Sequence, residues 1–106
     1  MTDLRAIADE QLAKARQAPR GRSAVLVLHD GAMRQTMMAL RAGSELAEHN
    51  APLAASIQVF DGTITVTAST DVTITAGELA AIPQERHGVT AVEDAVFLLT
   101  TVTEGS

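Results

Sequence analysis

The sequence predicts an all-β protein, a sandwich or barrel with one short helix at its N-terminus. Three observations lead there. Residues 3–17 carry apolar side chains at helical spacing, and from Ser23 onward the period becomes extended. Short apolar or alternating runs then recur with turn signals every ~8–12 residues, the rhythm of a β-sandwich or barrel. Finally, a chain of 106 residues is long enough for one domain and one core. We divide it into an N-terminal helix and linker, 1–22, and a single barrel domain, 23–106.

The helix places Leu4, Ile7, Ala8, Gln11, Leu12 and Ala15 along one side, with Thr2 or Asp3 able to cap its start. Ala18-Pro19-Arg20-Gly21 ends it. Its expected role is to pack on a sheet, because it lacks the cationic face of a membrane-surface helix. SAVLVLH (23–29) reads as a strand closed by the Asp30-Gly31 turn, and 33–42 as the next. Its Met33, Met37 and Met38 are expected to fill the core, the usual work of methionine where aromatic residues are few. Residues 63–69 alternate, Ile64 and Val66 against three threonines, and 71–76 repeat the pattern after Ser69-Thr70-Asp71. The long apolar run 95–103 is the last strand.

Composition removes several classes of function. Only two aromatic residues, Phe60 and Phe97, are present, so stacking platforms for bases or sugars are not expected. Net charge is −5 with a single lysine, Lys14, which leaves no basic stripe for nucleic acid or anionic membrane. Cysteine is absent, excluding disulfides, thiolate catalysis and cysteine zinc sites. No apolar run approaches the ~18 residues of a membrane span, and the first residues lack the basic-then-apolar pattern expected of a leader. A soluble, cytoplasmic protein is expected.

Two blocks carry the chemistry. GSELAEHNAPLAASIQVFDG (43–62) and GELAAIPQERH (77–87) each read as strand, turn, strand, and each delivers one histidine. Side chains two apart on a regular strand share a face, so companions of His49 would sit at Ala47 or Ala51. Asp61-Gly62 is a hairpin signal. Pro83 marks a strand end, and His87 opens the next strand.

In these blocks the chain resembles the cupin superfamily, in particular its small single-domain members. Gly43–His49–Gly62 is similar to the first cupin motif and Gly77–Pro83–His87 to the second, over residues 23–103. The resemblance implies a double-stranded β-helix, or jelly-roll barrel. It also implies a metal held by two histidines and a glutamate from the first motif and a histidine from the second. His49 and His87 match the first and last of these ligands. The second histidine falls on Ala51, the glutamate on Ala55 or Ala54, and a usual glycine on Glu85.

Alanine has no lone pair, so a conventional iron site, two histidines and a carboxylate, is not expected. Glu45 shares the parity of His49 but lies about 13 Å along the strand. Glu48 and Asn50 should face away, and His29 belongs at a turn. Gln58, if it points inward, would add an amide oxygen. The expected pocket is therefore His49, His87, Gln58, Ala51 and Ala55, with no cofactor or a weakly bound divalent metal on His49 and His87. The expected function is small-molecule binding in the barrel. A metal-dependent oxygenase or isomerase using the two histidines is the alternative. A homodimer is expected, paired through edge strands or the N-terminal segment.

Overall fold

The computed structural model describes residues 1–103. Helix α1 (Leu4–Gln17) is capped by Asp3, whose carboxylate accepts from the Ala6 amide. Nine strands follow: β1 (Arg22–Asp30), β2 (Met33–Leu40), β3 (Glu45–His49), β4 (Ala54–Asp61), β5 (Thr63–Thr67), β6 (Val72–Thr75), β7 (Leu79–Ala81), β8 (His87–Ala91) and β9 (Ala95–Val102). All pair antiparallel in two sheets, ordered β1-β2-β9-β4-β7 and β3-β8-β5-β6. The helix and the extended runs expected from the sequence are therefore present, arranged as a two-sheet jelly-roll barrel.

Two layers of apolar contact hold it. Between the sheets, Leu40, Ile57, Val59, Ile64, Val66, Ile74, Val89 and Phe97 form the barrel core. On the outer face of the five-stranded sheet, Ala8, Leu12 and Ala15 of α1 pack on Met37, Ala39, Val96 and Leu98. Each fully buried aliphatic side chain contributes about 1.5–3 kcal/mol by leaving water. This double coverage explains β9. Its neighbours in sequence alternate between the two cores, Phe97 inward and Val96 and Leu98 toward the helix, so it reads as an unbroken apolar run. The methionines divide by the same rule: Met37 lies under the helix and Met38 faces the barrel. Gln11, buried in the helix interface, accepts a hydrogen bond from the Ser23 hydroxyl, so the polar group is not left unpaired.

Of the barrel's two ends, one is closed by the β4–β5 and β8–β9 turns. There Gly62 adopts φ +78°, and a Cβ on it would lie 2.1 Å from the Asp94 carbonyl oxygen. Asp94 accepts from the Ala42 amide at 2.8 Å and from Arg16 Nε at 2.8 Å, tying this end to the helix. The Arg16 hydrogen bond, then that of the Ala42 amide, holds the Asp94 carboxyl below its ordinary range. At the other end, His49 closes β3 and His87 opens β8.

Candidate functional site

His49 ends β3, an edge strand, whereas His87 opens β8, which lies between β3 and β5. The two residues stand directly opposite in the β3–β8 ladder. Their rings meet edge to face, centroids 4.7 Å apart and planes at 61°. Environment separates them: His87 is 3% exposed, and His49 is open to solvent.

Each ring is oriented by its own backbone. His87 Nδ1 lies 2.9 Å from the Glu85 carbonyl oxygen, and His49 Nδ1 lies 3.3 Å from that of Ala47. A carbonyl can only accept, so each Nδ1 carries the proton and donates. In the neutral form this leaves both Nε2 atoms with a free lone pair. Glu85 is itself held: its carboxylate accepts from the Ser69 amide at 2.7 Å. A side-chain hydrogen bond with Ser69, then the Ser69 amide, keeps its carboxyl below the ordinary range, with a smaller attraction from His87.

A cavity of about 350 Å³ adjoins the pair, walled by Met38, Leu46, Ile57, Val89, Phe97 and Leu99, with Ala47 beside the histidines. Apart from the two imidazoles, its walls are aliphatic, thioether or aromatic. This is the composition of a small-molecule pocket: mostly apolar, with a few convergent polar atoms.

A β-bulge sets the geometry. From Leu46 to His49 the chain takes three steps on β3, while β8 takes two from Val89 to His87. The extra residue reverses the facing of the strand, so that Leu46 and His49 both point into the barrel. Gly88 permits it. A Cβ there would lie 2.8 Å from the Leu46 carbonyl oxygen and 3.3 Å from the Glu48 amide, the backbone of the bulge itself. Arg86 secures the same segment by donating to the Glu48 carbonyl oxygen at 3.2 Å.

Several expectations are corrected here. Glu45 does not share a face with His49; it pairs with Thr90 and is exposed, because the bulge intervenes. Gln58 does not point inward. Ile57 and Val59 take the barrel face of β4, which puts Gln58 on the opposite, exposed face. Ala51 lies in the segment between β3 and β4 and does not line the cavity. Ala55 packs against the barrel core but borders a separate cleft with Ala54, Ser56, Thr100 and Val102. Of the five expected pocket residues, the fold brings together only His49 and His87. The walls come instead from β2, β3, β4, β8 and β9, strands whose inward parity is clear only when their pairing is known. Glu48 and Asn50 are exposed, as parity predicted, and His29 sits at the β1–β2 turn with Nε2 3.1 Å from the Gly31 carbonyl oxygen.

The metal expected of the resemblance does not fit this donor set. Among the described residues no group of three or more His, Cys, Asp or Glu side chains is placed to share an ion. Two imidazoles without a carboxylate do not make the facial triad of a non-heme iron site. Also among the described residues, no helix is long and apolar enough to cross a membrane.

No family model and no curated protein sequence matches the chain. Solved structures do. A conserved protein of unknown function from Streptococcus pyogenes superposes with a TM-score of 0.74 at 20% identity, covering 84% of this chain and 80% of that one. An RmlC-like cupin protein from Desulfovibrio desulfuricans gives 0.68 at 23% identity, covering 76% and 81%. Salicylate 1,2-dioxygenase from Pseudoaminobacter salicylatoxidans gives 0.76 at 18% identity, this chain covering 92% of itself and 32% of the dioxygenase. Identities this low speak for architecture alone, and the architecture is clear: the chain has the fold of the cupin superfamily, as its two glycine–histidine blocks implied.

Proposed function

We propose that the protein binds a small molecule in the cavity beside His49 and His87, without a bound metal. The observation carrying this reading is the commitment of both Nδ1–H groups to backbone carbonyls. It leaves two Nε2 acceptors at one end of an otherwise apolar chamber. A ligand suited to it has an apolar body, sized to about 350 Å³, and one polar end. That end donates a hydrogen bond to a neutral imidazole, as a hydroxyl or a protonated acid does, or is anionic where an imidazole is protonated. The acidic, cysteine-free composition suits a cytoplasmic setting.

The second reading is a metal-dependent oxygenase or isomerase, favoured by the structural likeness to a dioxygenase and by the proximity of two imidazoles. Metal content separates the two. Elemental mass spectrometry of the untagged protein is expected to show well under one equivalent of Fe, Mn, Ni, Cu or Zn, with no change in Tm on adding these ions. One equivalent, lost in His49→Ala, would establish the second reading instead. For the first reading, a thermal-shift screen of amphipathic small molecules should raise Tm for some of them. Those shifts should disappear in His49→Ala/His87→Ala. Hits that persist in the double variant would place the ligand elsewhere.

A further inference from the structure

The histidine cavity has a neighbour. A cleft of about 250 Å³ lies beside it, bordered by Ala24, Met38, Leu40 and Leu46, with Arg22 as its one charged side chain. It exists because β1 runs for nine residues along the edge of the five-stranded sheet and pairs only with β2. The β1–β2 register sets Arg22 against Leu40 and Ala24 against Met38. Leu40 and Met38 face the barrel core, so Arg22 and Ala24 lie on that side of β1. Two side chains, Met38 and Leu46, wall both spaces, and they stand where one passes into the other.

We propose that the cavity and the cleft together form one site for an elongated ligand, an aliphatic chain with a hydroxyl at one end and a carboxylate at the other. This rests on the reading that the histidine cavity binds a small molecule, and it adds a second anchor. The hydroxyl donates to an imidazole Nε2. The chain passes Met38 and Leu46. The carboxylate meets the guanidinium of Arg22.

Charge identifies the second end. Among the described residues Arg22 takes part in no ion pair. Its side chain donates one hydrogen bond, from Nη1 to the Glu45 carbonyl oxygen at 3.4 Å, which is long for such a bond. That contact sets the guanidinium across the cleft from β1 to β3 and leaves the rest of its donor fork, which matches a carboxylate, for a ligand. Glu45 supplies only its backbone. It pairs with Thr90, while Leu46 beside it faces the core, so the Glu45 carboxylate belongs to the outer face of its strand. The distance to be spanned follows β3. From Glu45, where Arg22 rests, to His49 is at most about 13 Å at the rise of a strand. The side chains between the anchors are aliphatic or thioether, which a hydrocarbon chain covers without burying an unpaired polar group. Met38 suits the passage, because an unbranched thioether with three rotatable bonds gives way to a chain.

Titration of the full chain with ω-hydroxydecanoate, followed by NMR at an alkaline pH where imidazole is neutral, tests this. The imidazole resonances of His49 and His87 and the guanidinium carbon of Arg22 should move together, with one midpoint. By calorimetry, Arg22→Gln should weaken ω-hydroxydecanoate about tenfold and leave the α,ω-diol of the same length unchanged. Arg22 is exposed, so the variant should fold, and the wild-type titration decides the question if it does not. Histidine shifts with Arg22 silent, or an Arg22→Gln variant that binds as wild type does, overturn the proposal and leave the reading of the histidine cavity standing. An Arg22 shift with the histidines silent also overturns it, placing the ligand in the cleft alone. Equal losses of acid and diol in Arg22→Gln would make Arg22 structural and overturn it too. If ω-hydroxydecanoate does not bind, the proposal fails, while the thermal-shift screen decides the cavity separately.

Discussion

The two ends of the barrel are built from the same motifs and meet opposite demands. At the turn end, Gly62 presses against the Asp94 backbone, and Asp94 joins the Ala42 amide and Arg16 of the helix. At the other end, Gly88 lets a bulged strand close over it, yet the space beyond remains open and is lined by only two polar side chains. Each end thus has a glycine where a Cβ would meet backbone oxygen. One contact seals the barrel; the other aims a histidine. Close packing of backbone can serve stability at one end of a small barrel and site geometry at the other.

The largest effect that would break this comparison is expected at Gly62. In Gly62→Ala a left-handed φ, costing about 1–2 kcal/mol, combines with a clash against a carbonyl that has no side-chain freedom, about 1–3 kcal/mol more. Urea unfolding should show a loss of roughly 2–5 kcal/mol, the sum of those two ranges. A loss below ~1 kcal/mol would mean that the turn end is not sealed as described.

Gly88→Ala comes next and sharpens the contrast. Its φ is not left-handed, so only the close contacts remain, the nearest at 2.8 Å, and a loss of about 1–3 kcal/mol is expected. The bulge should also shift, so the His49 imidazole resonances should move in NMR spectra of Gly88→Ala and stay in place in any Gly62 variant that folds.

The histidines themselves should respond unequally. His87→Ala removes a buried ring and its hydrogen bond to the Glu85 carbonyl, with an expected cost of about 1–3 kcal/mol. His49→Ala, at an exposed edge, should change stability by less than about 0.5 kcal/mol. Long-range ¹H–¹⁵N spectra at high pH should find both neutral rings protonated on Nδ1. A ring protonated on Nε2 would contradict the acceptor role assigned to that atom.

The smallest effect is that of pH at the turn end. The Asp94 carboxyl is held below its ordinary value of 3.8, so its contribution is present above that pH and fades as acid carries the solution through the lower folded value. Asp94→Asn should cost about 1 kcal/mol or less at neutral pH. It should also reduce the difference between urea midpoints measured at pH 7 and pH 3. An unchanged difference would show that the Arg16 and Ala42 contacts do not persist in solution.

Much of the fold was legible because its signals are local. The 14 residues of α1, the alternation in β5 and the turns at Asp30-Gly31 and Asp61-Gly62 each depend on neighbours in sequence. The histidine pair was legible too, through the spacing of the glycine blocks. The pocket walls were not. Parity counted from His49 fails at the bulge, and parity on β4 requires knowing that Ile57, rather than Gln58, faces the barrel core. Gly88 carries no signal of its role in the sequence, since its use lies in how near Leu46 and Glu48 come to it.

By itself, the sequence determined a helix and a succession of short strands, which follow from residue type and short-range periodicity, and its resemblance to the cupin motifs singled out His49 and His87. Tertiary structure decided which strands wall the cavity, that the two Nε2 atoms are the free ones, and that β1 is the long uncovered edge. Those properties arise from a single inserted residue in β3 and from the order of strands in two sheets, and neither leaves a period or a motif in the chain.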